Sequence, residues 1–214
     1  MMYIIMEKTL SEYLSDLDKI KEDISVHGKK LLNGDSKMCL FDTFCIAQLN
    51  RSLNLVDAFI TLARMDNYIT SFALVRLHLD TLLRLYAVKL TQQNVNHVVE
   101  EILNGKSINK FKDGTTNKPL SDTYLKDKIS ENENYIWVKE TYEKTSGFIH
   151  FSDNILRASN LGDSSNMKLS HSIKVGSDFI IDLDKKIACV QMIKITEGIL
   201  EFINKWIDER KQEH

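Results

Sequence analysis

Two stretches of this sequence bring together residue types that can do chemistry. The first is "SFALVRLHLDTLLRLYAVKL", residues 71–90, where Arg76, Asp80 and Arg84 recur every four positions inside an otherwise apolar run. That spacing stacks all three on one helix face, beside Leu77, Leu83 and Ala87. Charged side chains are rarely buried without a partner. An Asp between two Arg offers bidentate hydrogen bonding on both sides. The ladder then has two readings. It is a buried or interface salt-bridge network that sets helix register. Alternatively, because one Asp neutralises one Arg, it leaves a guanidinium for an anion. His78 falls off the ladder face and reads as a surface or interface histidine.

The second stretch is "YEKTSGFIHFSDN", residues 142–154, in which Tyr142, Ser146 and His150 also recur every four positions. Gly147 beside them allows close approach of a backbone or a ligand. Histidine is the natural acid–base group near neutral pH, and a Tyr and a Ser on its face can orient a substrate. The plainer reading is a histidine satisfied inside a packed helix. If the two helices are antiparallel neighbours, the Arg–Asp–Arg face meets the Tyr–Ser–His face. Fixed positive charge and a proton donor are what metal-free phosphodiester cleavage requires.

No other motif competes. The sequence has no GxGxxG, Walker, HExxH or GxSxG pattern. Histidines and cysteines are scattered, so neither a metal nor another cofactor is expected. Glu100–Glu101 and the Asp182/Asp184 pair fall near helix ends, where capping accounts for them.

The elements that must position these residues are helical. One proline and eight glycines in 214 residues leave few breaks. A first helix opens at Thr9, with Glu12 in capping-box spacing, and runs to Asn33-Gly34-Asp35. A second spans about 36–64, "MDNY" turns the chain, and the ladder helix continues to Leu90. Shorter helices are expected at 95–103 and 122–130, then one at about 134–152 and a last at about 184–210. Residues 105–121, "GKSINKFKDGTTNKPLS", lose all periodicity and carry Lys106, Lys110, Lys112 and Lys118. That segment reads as a long basic loop: a lid, an RNA contact or a solvated connection. "MKLSHSIKVG", 167–176, alternates like a strand, with "FIIDL", 179–183, as its expected hairpin partner. The fold expected is all-α, a single-domain bundle of five or six helices with a small β appendage near 167–181.

Bulk properties restrict partners. The hydrophobic share is 43% and the net charge −2, so no global field draws the chain to nucleic acid or anionic lipid. Cys39, Cys45 and Cys189 form no CxxC pair, which fits a reducing, cytoplasmic setting. "MMYIIM" is too short for a signal peptide, and no run reaches the ~18 apolar residues of a bilayer span.

The pairing of "RLHLDTLLRLYA" (76–87) with "YEKTSGFIHFS" (142–152) resembles a broad group of uncharacterised bacterial helical proteins. Its members show an Arg-x-x-x-acid helix followed by a Tyr…Ser-Gly-aromatic-aliphatic-His helix. That group in turn is similar to the HEPN superfamily. The resemblance implies a compact helical bundle, a homodimer, and metal-independent ribonuclease activity in toxin–antitoxin or antiviral defence systems. It carries His150 over as the acid–base residue. The arginine of that nuclease motif has no counterpart, because Lys144 stands six residues before His150, and lysine lacks the bidentate fork. Either Arg76 or Arg84 substitutes from the neighbouring helix, or the chain keeps the fold without the nuclease. Two functions therefore stand. One is a ribonuclease or defence effector acting on RNA with His150, Arg76 and Arg84, bounded by Asp80, Tyr142, Lys144 and Ser146, with a cognate antitoxin or defence partner. The other is a non-catalytic binding or dimerisation module whose ladder is structural or holds a small anionic ligand.

Overall fold

Thr9 starts the first helix. Its hydroxyl accepts from the Glu12 N–H at 3.3 Å, and the Glu12 carboxylate accepts from the Thr9 N–H at 2.7 Å. The expected capping box closes and opens α1 (Leu10–Leu32). The computed structural model describes residues 8–33, 37–150, 152–153, 155–156, 160–163, 168–171, 175–176 and 180–212. Among the described residues six further helices follow: α2 (Leu40–Arg64), α3 (Tyr68–Leu90), α4 (Val95–Leu103), α5 (Asp122–Ile129), α6 (Trp137–Ile149) and α7 (Asp182–Gln212). The protein is an all-α bundle, as its sequence patterning requires. Among the described residues seven helices are delimited, one or two more than expected, because the short α4 and α5 both form, each capped by a side chain, Asn94 and Ser121.

The helix carrying the charge ladder is the centre of the molecule. α3 packs against α2, α5, α6 and α7, while α1 covers α2 and α7. A helix surrounded in this way must be apolar on most sides, and Val75, Leu79, Leu82, Leu83 and Leu85 are essentially inaccessible. Each such side chain contributes about 1.5–3 kcal/mol by burial. Their sum outweighs the cost of a few charges placed where partners can reach them.

The second helix starts at Leu40 rather than near residue 36, because Cys39 takes the N-cap position and its N–H donates to Asp42 Oδ2 at 2.8 Å. Residues 105–121 differ from the expected loop without periodicity. They form a 3-10 turn at Ile108–Lys110 and a bridge between Lys112 and Pro119. Phe111 and Leu120 are buried. Asp113, the segment's one acid, is buried and accepts from the N–H groups of Thr115 and Thr116 at 2.7 and 2.9 Å and from the Tyr124 hydroxyl at 2.8 Å. These bonds replace periodic secondary structure as the source of order.

Residues Asn160–Asp163 (β1) pair antiparallel with Lys168–His171 (β2), with Asn160 opposite His171 and Asp163 opposite Lys168. The partner is therefore not the 179–183 segment. Ile180 and Ile181 lead directly into α7, whose first turn holds Asp182 and Asp184, and both the Asp184 and Lys185 N–H groups donate to Ile181 O. Acidic residues favour a helix N-terminus, and here that preference prevails over the strand reading. Met167 and Ile173 of the expected alternation lie outside the described residues. Among the described residues no helix is long and apolar enough to cross a membrane.

Candidate functional site

α3 and α6 are neighbours. Phe72 stacks on Phe148 with ring centroids 4.5 Å apart. Further along α3, the Arg76 guanidinium carbon lies 4.0 Å from the ring centroid of Tyr142, which comes earlier in α6. The two helices are thus antiparallel, and the ladder face meets the Tyr142 face.

The ladder itself is divided. Arg76 Nη1 pairs with Asp80, one turn on. Arg84 pairs instead with Asp122, the first residue of α5, at 2.6 Å from its Nη2. The other Asp122 oxygen lies 3.7 Å from Arg76 Nη2. One carboxylate from a third helix therefore spans the two guanidiniums, and Asp80 does not sit between two arginines as the spacing suggested. Lys126, also on α5, places its ammonium 5.5 Å from the Tyr142 centroid and bonds Glu143 at 2.9 Å. Tyr142 is the aromatic platform of the cluster, with cations from two other helices near its ring.

Arg76 is 7% exposed. Burial pushes its pKa down, but the Asp80 carboxylate and Tyr142 outweigh burial, and the net shift is upward. Glu143 raises Lys126 likewise, against a smaller effect of burial. Arg76 and Lys126 are charged at neutral pH. The terminal nitrogen Arg84 Nη1 is the exception to the pairing: it is buried and has no hydrogen-bond partner among the described residues. Unpaired buried donors are uncommon enough to need a reason.

The remaining expected residues do not join this cluster. α6 ends at Ile149, so His150 is the residue after the helix, with extended backbone (φ −110°, ψ 148°) and an exposed side chain. It leaves the face on which the four-residue repeat would have kept it. At about 1.5 Å of rise per residue, Arg84 stands roughly 18 Å along α3 from the level of Phe72 and Phe148. His150 lies past Phe148 in the opposite direction. Arg76 is nearer, but its guanidinium reaches toward Asp80 and Asp122, away from His150. Among the described residues no hydrogen bond or ring contact joins His150 to Arg76 or Arg84. Ser146 donates to the Tyr142 carbonyl at 2.6 Å, a bond within its own helix, rather than orienting a substrate. Lys144 is exposed and pairs with Glu140 at 2.7 Å.

His78, expected at a surface or interface, is fully buried, with its Nε2 2.9 Å from Thr196 Oγ1. The helix that carries it packs against α2, α5, α6 and α7, so leaving the ladder face here means entering the core. Sequence reasoning also missed Asp122 and Lys126. "SDTYLKDKI" signals a helix start at Ser121, but an acid in a first turn is ordinarily a capping feature. Nothing in its position announces an arginine partner.

A groove of about 630 Å³ opens between α1 and α2, lined partly by Asp18, Lys21 and Asp57. Lys21 is already paired with Asp57 at 2.9 Å and Asp18 at 3.3 Å, and neither helix contributes to the arginine cluster. Among the described residues no group of three or more His, Cys, Asp or Glu could hold a metal ion. No protein-family model, curated protein or solved structure matches the chain.

Proposed function

We propose that the chain is a non-catalytic binding module on a HEPN-like helical scaffold, holding a small anionic group at the Arg84 edge of the arginine cluster. The observation that carries this reading is Arg84 Nη1, buried and without a partner beside a cluster of fixed cations. Phosphodiester cleavage needs a proton donor at the same anion as the positive charge. Here the imidazole and the guanidiniums occupy different levels of the α3–α6 pair. Both guanidiniums are held mainly by carboxylates of the chain itself, which suits a site for recognition and positioning.

Two measurements test the reading. Wild-type chain and His150→Ala are expressed in parallel, and RNA integrity and growth are compared; both should leave RNA intact. Inorganic phosphate is then titrated into the purified wild-type chain and Arg84→Gln. The wild-type chain should bind, and the variant should bind at least about tenfold more weakly, the loss of one charge-assisted hydrogen bond. RNA cleavage abolished by His150→Ala would restore the nuclease. Absence of anion binding by the folded wild-type chain would remove the module.

A further inference from the structure

We infer that Asp122 is an internal stand-in for the phosphate of a phosphate-monoester ligand, and that the ligand enters by displacing this carboxylate from the arginine pair. The inference rests on the anion-binding reading above and adds to it the class of ligand and the competitor that regulates its entry.

Asp122 comes from α5, whereas both arginines belong to α3. Its Oδ1 lies 2.6 Å from Arg84 Nη2 and its Oδ2 3.7 Å from Arg76 Nη2. That is where a ligand oxyanion bridging two guanidiniums would stand. Arg76 does not depend on it. Asp80 holds its Nη1, and the Tyr142 ring lies against its face at 4.0 Å. With Asp122 withdrawn, the guanidinium of Arg76 remains in place and its Nη2 is released.

The donors also outnumber what Asp122 can satisfy. The carboxylate engages Arg84 Nη2 and Arg76 Nη2, while the other terminal nitrogen of the same guanidinium, Arg84 Nη1, is buried and has no hydrogen-bond partner among the described residues. A planar carboxylate has two oxygens. A phosphate monoester has three terminal oxygens, one more acceptor than the carboxylate offers to the same pair of guanidiniums.

Charge and access agree. Arg76 is balanced by Asp80, and Lys126 by Glu143. Withdrawal of Asp122 leaves Arg84 as an uncompensated cation, which offsets one negative charge of an incoming phosphate, the other facing the water that Asp122 also reaches. The Asp122 side chain is 36% exposed, so it can turn into water. The α5 N-terminus survives that turn, because the Ser121 hydroxyl, not Asp122, accepts from the Tyr124 N–H at 3.3 Å.

The test titrates inorganic phosphate and adenosine 5′-monophosphate into the wild-type chain, Asp122→Asn, Asp122→Ser and Arg84→Gln, each confirmed folded by circular dichroism. Loss of the competitor should tighten binding to both Asp122 variants by at least about tenfold over wild type. Tighter binding of the nucleotide than of phosphate in these variants identifies a nucleotide ligand, and equal binding a free phosphate group; either supports the inference. Equal affinity of wild-type and Asp122 variants, with loss in Arg84→Gln, overturns the stand-in but leaves the anion site intact. Binding by no folded variant overturns both. Should the Asp122 variants not fold, the wild-type chain decides. Saturating phosphate must shift the Asp122 side-chain carboxyl resonance and leave that of Asp80 in place. Bound phosphate with an unmoved Asp122 overturns the proposal.

Discussion

His78 lies in the core where α3 meets α7, and its two ring nitrogens have different fates. The Thr196 hydroxyl donates to the Met192 carbonyl at 2.9 Å, so its oxygen accepts from His78 Nε2, which must carry the proton. Nδ1 is left buried and without a hydrogen-bond partner among the described residues. A second proton there would place an unsolvated charge in the core. Burial, with a smaller push from the positive charge of Arg51, lowers the His78 pKa from 6.5 to about 3. The sign of the linkage follows. The unfolded chain takes up this proton below pH 6.5 and the native chain does not until about pH 3, so stability falls as pH drops through that window. We predict a loss of a few kcal/mol across it. Denaturant unfolding at pH 7.5, 6 and 5 should show a steeper decline for the wild-type chain than for His78→Gln. Parallel declines would show that His78 is not the group responsible. None of this could be read from "RLHLD", where the histidine merely leaves the ladder face; the charge state depends on what α7 places against it.

Elements were legible wherever their signals are local. Thr9 with Glu12, the apolar periodicities of α1 and α2, and the Asn104-Gly105 stop after α4 each act within a few residues. The 105–121 segment was not legible, because its order comes from contacts outside it. Gly114 donates its N–H to the Leu90 carbonyl at 2.9 Å, at the end of α3. A Cβ on Gly114 would stand 2.6 Å from the Thr91 carbonyl oxygen and 2.8 Å from Gln92 Cβ. The first of these is backbone and cannot rotate away. Gly114→Ala should therefore detach the turn from α3 at a cost of about 1–3 kcal/mol. Hydrogen exchange at the Asp113, Thr115 and Thr116 amides should quicken more than in α1; unchanged protection there would contradict the docking. The turn's link to α5, through Tyr124 and Asp113, also explains why a short helix with weak amphipathicity is firmly placed.

At the scale of the whole molecule, Asp42 joins the start of α2 to the end of α7. The carboxylate is fully buried and accepts from Trp206 Nε1 at 2.8 Å, Arg210 Nη1 at 2.6 Å and the Cys39 N–H at 2.8 Å. Trp206 also meets Phe41 edge to face at 4.8 Å. Burial pushes the Asp42 pKa up, but hydrogen bonds from Cys39 and Trp206 and the charge of Arg210 outweigh it and hold it below the usual value of 3.8. Asp42 thus adds stability above pH 3.8 that is lost only as pH falls through its lower native pKa. Asp42→Ala would strand the Arg210 charge in the core, and we predict a loss of about 3–5 kcal/mol. Thermal and urea unfolding at pH 7 measure it. A change under 1 kcal/mol would mean that Arg210 finds water without disturbing the bundle.

The sequence by itself determined the class of fold and the order of its helices. These follow from hydrophobic period and capping chemistry, both local properties of the chain. It placed Arg76 and Tyr142 on faces that meet if their helices are antiparallel neighbours, and the structure supplied that neighbourhood. Only the tertiary structure decided the partners: Asp122 for Arg84, Arg210 for Asp42 and Thr196 for His78. The physical reason is that charge and hydrogen bonding act over a few ångströms in space, while the residues involved lie from 38 to 168 positions apart along the chain. A helix that stops one residue short, as α6 does before His150, redirects a side chain that periodicity alone would have carried into the site.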